Sequence, residues 1–235
     1  MAKAGVALYF ITPCLSMGLI SKKLLGFSPF VFALLMLCSV QCLFAQTFTP
    51  VKDVVAMQKK VTEASQKITT IQCDFTQEKS MSMLTDKVIS KGKFYFKRES
   101  KVRLEYLLPT KNLIVMNGAK MLMKDEKKTQ QMDMHRSKVF QQLNNIIVGS
   151  INGNLFSSKD FTVKFFESNS QVNVELKPVS KMMKNFLSTI VLLLDKKDFT
   201  ATRIEMNETS GDNTILSFSS KEINTTLNEE LFTVK

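Results

Sequence analysis

The chain has 235 residues, 44% of them hydrophobic, and its 32 Lys and Arg against 21 Asp and Glu give a formal charge of +11. It is basic without being tail-like. Its lysines stand singly, as at Lys91, Lys93 and Lys97, which excludes the blocks of cations interleaved with aromatics that nucleic-acid binders show.

Lys22 and Lys23 precede an uncharged apolar run from Leu24 to Ala45, the pattern of a secretory signal peptide. A start at Met17 instead of Met1 leaves a short basic n-region, an h-region around Phe30 to Val40, and cleavage after about Ala45. The competing reading is a membrane anchor, because the run is long enough to span. Ser28, Pro29, Ser39 and Gln41 interrupt it, however, and Leu43-Phe44-Ala45 suits cleavage. Leu37 and Gln41 precede Cys38 and Cys42 where a lipobox needs a small residue, so lipidation is not expected. Removal of residues 1–45 takes Cys14, Cys38 and Cys42 and leaves Cys73 alone, which rules out an internal disulfide. Residues 46–235 then form one domain stabilised by its own apolar core. That part keeps 29 Lys and Arg against 21 Asp and Glu, a charge of +8. A basic shell on an exported protein suits anionic lipid surfaces or acidic partner faces, or serves solubility alone.

Val51, Val54, Val55, Val61 and Ile68 follow three-and-four spacing, which predicts an amphipathic helix over Val51 to Ile68 laid on a sheet. Short runs rich in Phe, Val, Ile and Thr follow: Ile71 to Lys79, Val88 to Arg98, Lys101 to Leu107, Leu113 to Asn117, Ala119 to Lys124 and Gln130 to Met134. They read as a meander, with Asn117-Gly118 as the central pair of a type I′ hairpin turn. The period then changes. Phe140, Leu143, Ile146, Ile147 and Ile151 fit one face of a helix over Phe140 to Phe156, loosened by Gly149, Gly153 and several Asn, so it must dock on the sheet to form and undocks readily. Strands resume at Phe161 to Phe166, Gln171 to Leu176, Thr189 to Asp195, Thr202 to Asn207 and Asn213 to Ser220. About eleven strands with few helices predict a mainly β fold, an antiparallel sheet or open barrel with helical covers.

Enzyme chemistry finds little support. Beyond residue 45 the chain has one histidine, His135, and one cysteine, Cys73, with nothing in sequence to activate either as a nucleophile. Only Asp125 and Asp133 stand near His135 as metal ligands, too few for a site. No GxGxxG or Walker lysine is present, and Asp195 and Asp198 sit in a solvated, turn-like DKKD. No catalysis, metal or cofactor is expected.

What the chain does offer is apolar wall. Over Ser90 to Thr110 two alternating strands put Phe94, Phe96 and Arg98 on one face. This reads either as a lipid cavity with a charged rim or as a sandwich core with a surface arginine. Eleven methionines follow residue 45, Met116, Met121, Met123, Met132 and Met134 on neighbouring strands. With Phe94, Phe96, Leu104, Leu143, Ile146 and Ile147 they suit an adaptable acyl-binding surface, or fill gaps in an ordinary core.

The order of motifs resembles the LolA family of periplasmic outer-membrane lipoprotein carriers over nearly the whole length after residue 45. The helix leading into Cys73-Asp74-Phe75-Thr76-Gln77 carries the resemblance, with the Ser90 to Arg98 strand, Val102 to Tyr106 followed by Pro109, and Leu113 to Gly118 followed by Met121. Leu176-Lys177-Pro178, Ile190 to Asp195 and Asn224 to Phe232 add to it. The resemblance implies an unclosed antiparallel β-barrel with helices forming a lid over an apolar cavity that shields lipoprotein acyl chains. The implied lining is Phe94, Phe96, Leu104, Tyr106, Ile114, Met116, Met121, Met123, Met132, Leu143, Ile146 and Ile147. Arg98 matches the arginine of the family's KRP segment, which bonds the lid in the empty state. Implied partners are acylated lipoproteins, an inner-membrane ABC exporter and an outer-membrane receptor, with a monomeric carrier in the periplasm; the alternative is a lipid- or lipoprotein-sensing module of the same fold. Three departures stand out: Glu99 replaces the usual proline after Arg98, the family's common tryptophan is absent, and the sequence ends at Lys235 short of the C-terminal extension some members carry.

Overall fold

The computed structural model describes residues 47–136 and 138–234, with side chains described throughout except those of residues 138–140, 142 and 143. The leader expected over residues 1–45, with Cys14, Cys38 and Cys42, lies outside the described residues. The strands are β1 (Thr49–Pro50), β2 (Thr70–Ser80), β3 (Val88–Lys97), β4 (Lys101–Leu108), β5 (Asn112–Asn117), β6 (Lys120–Lys124), β7 (Thr129–Asp133), β8 (Phe161–Glu167), β9 (Gln171–Pro178), β10 (Leu187–Asp195), β11 (Ala201–Glu208) and β12 (Asn213–Ile223). Among the described residues three α-helices accompany them: α1 (Val54–Gln66), α2 (Lys138–Asn152) and the single turn α3 (Lys181–Lys184).

All twelve strands join one antiparallel sheet in the order β1-β8-β9-β10-β11-β12-β2-β3-β4-β5-β6-β7, with β1 and β7 as its edges. The expected unclosed antiparallel architecture is therefore present, with one strand beyond the eleven expected. The additional strand is β1, whose two residues pair with Phe166 and Glu167 of β8 and are too short to carry any alternation. Met134, expected to end a strand, instead opens a 3-10 turn, Met134–Arg136.

The sheet is amphipathic by simple alternation. Cys73 faces Phe94 across the ladder, Phe94 faces Leu104, Leu104 faces Ile114 and Ile114 faces Met123. On the other half Phe165 faces Val174, Val174 faces Leu192, Leu192 faces Ile204 and Ile204 faces Leu216. These rows lie on one face because side chains alternate strictly along each strand. The helices cover that face. Asp53 caps α1, its carboxylate accepting from the Ala56 amide at 2.9 Å, and Met57 and Val61 enter a core cluster with Val174, Leu176, Ile190 and Leu192. Helix α2 contributes Ile146 to that cluster and Val148 to a second one built on Ile71, Phe75, Phe94, Phe96, Val102 and Met121. The opposite face is covered over β4 and β5 by the C-terminal turn: the Asn117 amide donates to the Phe232 carbonyl at 3.0 Å and Arg103 to that of Leu231 at 3.2 Å.

The hairpin at Asn117-Gly118 turns one residue later than expected. Asn117 stays paired with Lys120, so Gly118 and Ala119 are the central residues. Only Gly118 has positive φ, at 58°, which is the II′ pattern and not I′. Gly92 answers a different need. A Cβ there would sit 2.1 Å from the Glu105 carbonyl oxygen and 2.8 Å from the Phe75 ring, and that ring stands edge-on to Tyr106 with centroids 5.1 Å apart. Gly92→Ala is expected to destabilise the protein by about 1–3 kcal/mol, the usual cost of overpacking a close contact, read as a lowered urea midpoint. An unchanged midpoint would contradict this approach of β3 to β4.

Candidate lipid-binding site

A cavity of about 70 Å³ lies between the apolar face and α2. Its sheet wall is built by Ile71, Cys73, Phe94 and Leu104 from one half and by Ala201, Ile204, Leu216 and Phe218 from the other, and its roof by Ile147, Ser150 and Ile151 of α2. Thr200 and Lys221 complete it. The rings of Phe94 and Phe218 meet across it at 5.8 Å. A second cleft, of about 440 Å³, is lined by Gln77, Ser90, Tyr106, Ile114 and Met123 together with Lys124, Asp125 and Lys128.

The twelve expected lining residues divide by depth. Phe94, Leu104 and Ile147 border the cavity, and Tyr106, Ile114 and Met123 border the cleft. Phe96, Met116 and Met121 sit in the core on the same face without bordering either space, and Met132 packs against them. Ile146 turns into the first cluster, away from the cavity. The side chain of Leu143 lies outside the described residues. Sequence reasoning missed Cys73, Ile204, Leu216, Phe218, Thr200 and Lys221. The alternation of Leu216 with Phe218 was a readable signal; their closeness to Phe94 was not, since β12 pairs with β2 from about 140 residues away along the chain.

Arg98 grips the end of α1. Its Nε donates to the Ile68 carbonyl at 2.9 Å, and its Nη2 to the carbonyls of Ser65 and Gln66 at 2.9 Å and of Ile68 at 2.5 Å. These carbonyls lie at and just past the C-terminus of α1, where carbonyls are short of donors and the partial negative charge favours a cation; the Ser65 carbonyl also accepts from the Ile68 amide at 3.2 Å. Among the described residues no acid pairs with Arg98. Asn224 holds the same segment, accepting from the Thr69 amide at 2.8 Å and donating to the Lys67 carbonyl at 3.0 Å. Helix α1 in turn meets the end of α2: Gln58 donates to the Phe156 carbonyl at 3.0 Å, and a Cβ on Gly153 would lie 3.0 Å from the Thr62 Cα. Glu99 stands in left-handed backbone at φ 75°, followed by Ser100 at 62°. Proline, fixed near −65°, cannot occupy such a position, so the departure from the family pattern belongs to a different turn.

Burial shapes the titratable groups. Desolvation pushes the Cys73 thiol up to about 12, against the pull of the Lys221 charge and with the push of Asp74. Burial also raises Tyr106, whose hydroxyl donates to Gln77 Oε1 at 2.9 Å. His135 is exposed, with the Gln141 amide 3.4 Å from its Nδ1. Among the described residues no three His, Cys, Asp or Glu are gathered as a metal site would need.

An open antiparallel sheet whose one apolar face is roofed by helices over a cavity defines a binding scaffold. The family described as "Outer membrane lipoprotein carrier protein LolA" matches residues 66–235, and the chain belongs to that family. Similar solved structures include a LolA superfamily protein from Nitrosomonas europaea, at 13% identity over 78% of this chain and 99% of that one, TM-score 0.45. Another is the MucA/MucB complex of Pseudomonas aeruginosa, at 11% identity and TM-score 0.45, where the match covers 78% of this chain and 61% of that one. Lipoprotein LppX of Mycobacterium tuberculosis matches at 10% identity over 74% of this chain and 97% of that one, TM-score 0.42. The chain matches no curated protein.

Because the thiolate is the reactive species, Cys73 in a folded chain beginning at Gln46 is expected to react with a disulfide reagent at pH 8 at least ~100-fold more slowly than in urea. Equal rates would show the thiol to be open to water. The same shift makes stability fall as pH rises from 9 towards 12, the window in which the unfolded thiol has lost its proton and the folded one keeps it.

Proposed function

We propose that this protein is a periplasmic carrier, exported by a leader cleaved after about Ala45, that shields lipoprotein acyl chains and takes them from an inner-membrane ABC exporter to the outer membrane. The observation that carries the reading is the apolar cavity between Phe94, Phe218 and Ile147, roofed by a helix whose neighbour α1 is held from the sheet by Arg98. Family membership supports it.

At about 70 Å³ the cavity is far smaller than the roughly 300–1,000 Å³ of sites that engulf small ligands, so loading must part α2 from the sheet. The roof is suited to move. The amide oxygens of Asn144 and Asn152 are buried without a hydrogen-bond partner, each a debit of about 1–3 kcal/mol that water relieves when the helix lifts. An acyl chain gains about 0.8 kcal/mol per buried methylene, which drives loading without catalysis. Arg98 opposes it, because its bonds to α1 belong to the closed state, and a contact made in only one state shifts the equilibrium towards that state.

Arg98→Leu is therefore expected to fold, to bind acylated cargo roughly ten- to a hundredfold more tightly, and to release it more slowly, as loss of charge-assisted hydrogen bonds in the closed state dictates. Transfer of a fluorescent lipoprotein to outer-membrane vesicles measures this, and a normal rate would remove Arg98 from the latch. Depletion of the protein in its own cells is expected to strand lipoproteins in the inner membrane; correct sorting, together with failure of the purified protein to extract lipoprotein from membranes, would sink the carrier reading.

A further inference from the structure

One lining residue does not fit an apolar wall. The ladder between β12 and β2 runs from Ser219 opposite Asp74 to Glu222 opposite Gln72, so Ser220 and Lys221 together face the single residue Cys73. Ser220 takes φ 52°. Phe218 points to the cavity, and strict alternation would send Ser220 inward and Lys221 out with Ser217 and Ser219. The extra residue reverses this parity, as bulges do, and places Lys221 in the cavity lining and Ile223 against the core behind it.

The Lys221 ammonium donates to Oγ1 of Thr200, a residue 5% exposed whose hydroxyl itself donates to Asp198 Oδ1 at 2.6 Å. Lys221 is half-buried, and among the described residues it has no carboxylate at ion-pair distance. The other lining groups are apolar or neutral. A cation partly shielded from water beside hydrocarbon is costly unless an anion or strong acceptor meets it, and its one described partner is the neutral Thr200 hydroxyl, which accepts from the ammonium and passes its own proton to Asp198.

We infer that Lys221 is a head-group determinant: the cavity takes acyl ligands that carry an anion, a carboxylate or a phosphate, with the chain between Phe94 and Phe218 and the anion on the ammonium. This rests on the reading of the cavity as an acyl site. Lys221 supplies up to three donors to an anionic oxygen, and a charge-assisted bond formed beside an apolar wall is stronger than one formed in water.

The test is calorimetric binding of laurate and of methyl laurate, below micellar concentrations, to the purified protein. Laurate is expected to bind roughly ten- to a hundredfold more tightly than its ester, the effect of one charge-assisted hydrogen bond. Lys221→Met is expected to lower laurate to the affinity of the ester while leaving the ester unchanged, and Lys221→Arg to keep the preference. Equal binding of acid and ester by the unaltered protein, which needs no variant to fold, overturns the inference, as does a preference that survives Lys221→Met. Binding of neither overturns the acyl-site reading beneath it. Lauroyl lysophosphatidylglycerol against monolauroylglycerol, which lacks the phosphate, separates the sources: a matching preference for the former assigns the anion to a lipid phosphate as well, and a preference shown by laurate alone assigns it to a free fatty acid.

Discussion

The pairing of β12 with β2 is the contact on which the rest depends. It joins the meander from β2 to β7 to the second run from β8 to β12, and each run alone would end in a long unpaired edge where the sheet now has its middle. Closing a loop of this length costs only logarithmically more than closing a short one, so the seam is thermodynamically accessible, although such non-local pairing forms slowly. What it produces is a wall with two parents. Cys73, Phe94 and Leu104 come from one run and Ile204, Leu216 and Phe218 from the other, so neither run can line the cavity by itself.

The seam also explains where the helices sit. The apolar face carries two clusters, one under α1 with Val61, Val174, Leu176 and Leu192, the other around Phe75, Phe96, Val102 and Met121. Helix α2 lies across both, giving Ile146 to the first and Val148 to the second, while Ile147 and Ile151 look into the cavity between them. A helix with Gly149 and several Asn has low intrinsic propensity. Its order is thus borrowed from two patches of sheet at once.

Local signals were legible in the sequence and the non-local ones were not. Alternation such as Phe94 and Phe96, or Ile190, Leu192 and Leu194, located most strands to within a residue or two, because one-sided burial imposes a period of two. The three-and-four spacing expected over Val51 to Ile68 found α1, although the helix runs only from Val54 to Gln66, where Arg98 takes its last carbonyls, and its buried face is Met57, Val61 and Ser65 while Val54 and Val55 are exposed. The two-residue β1 and the single turn α3 were too short to have a period. For the site, the meander strands and α2 announced Phe94, Leu104 and Ile147. Phe218 and Lys221 needed the seam, and Lys221 also needed the bulge at Ser220, whose left-handed φ leaves no mark in a serine. Phe96 and Met121 were grouped with the lining because periodicity reports the face of a residue and says nothing of its depth.

On the proposed carrier reading the protein must hold its cargo against water and still part with it, and the closed arrangement bears on both. The cavity is small, and Phe94, Phe218, Ile147 and Ile151 all border it. The free energy of loading is therefore the burial of the acyl chain less the self-burial given up, and less the Arg98 bonds to Ser65, Gln66 and Ile68. A fifteen-methylene chain gains on the order of 12 kcal/mol, enough to make release prohibitively slow if nothing were set against it. Binding energy that must be exchanged with internal contacts is recovered when cargo leaves. On that reading the side chains that would receive the lipid also favour its departure, which an open, preformed cavity of equal apolar area could not do.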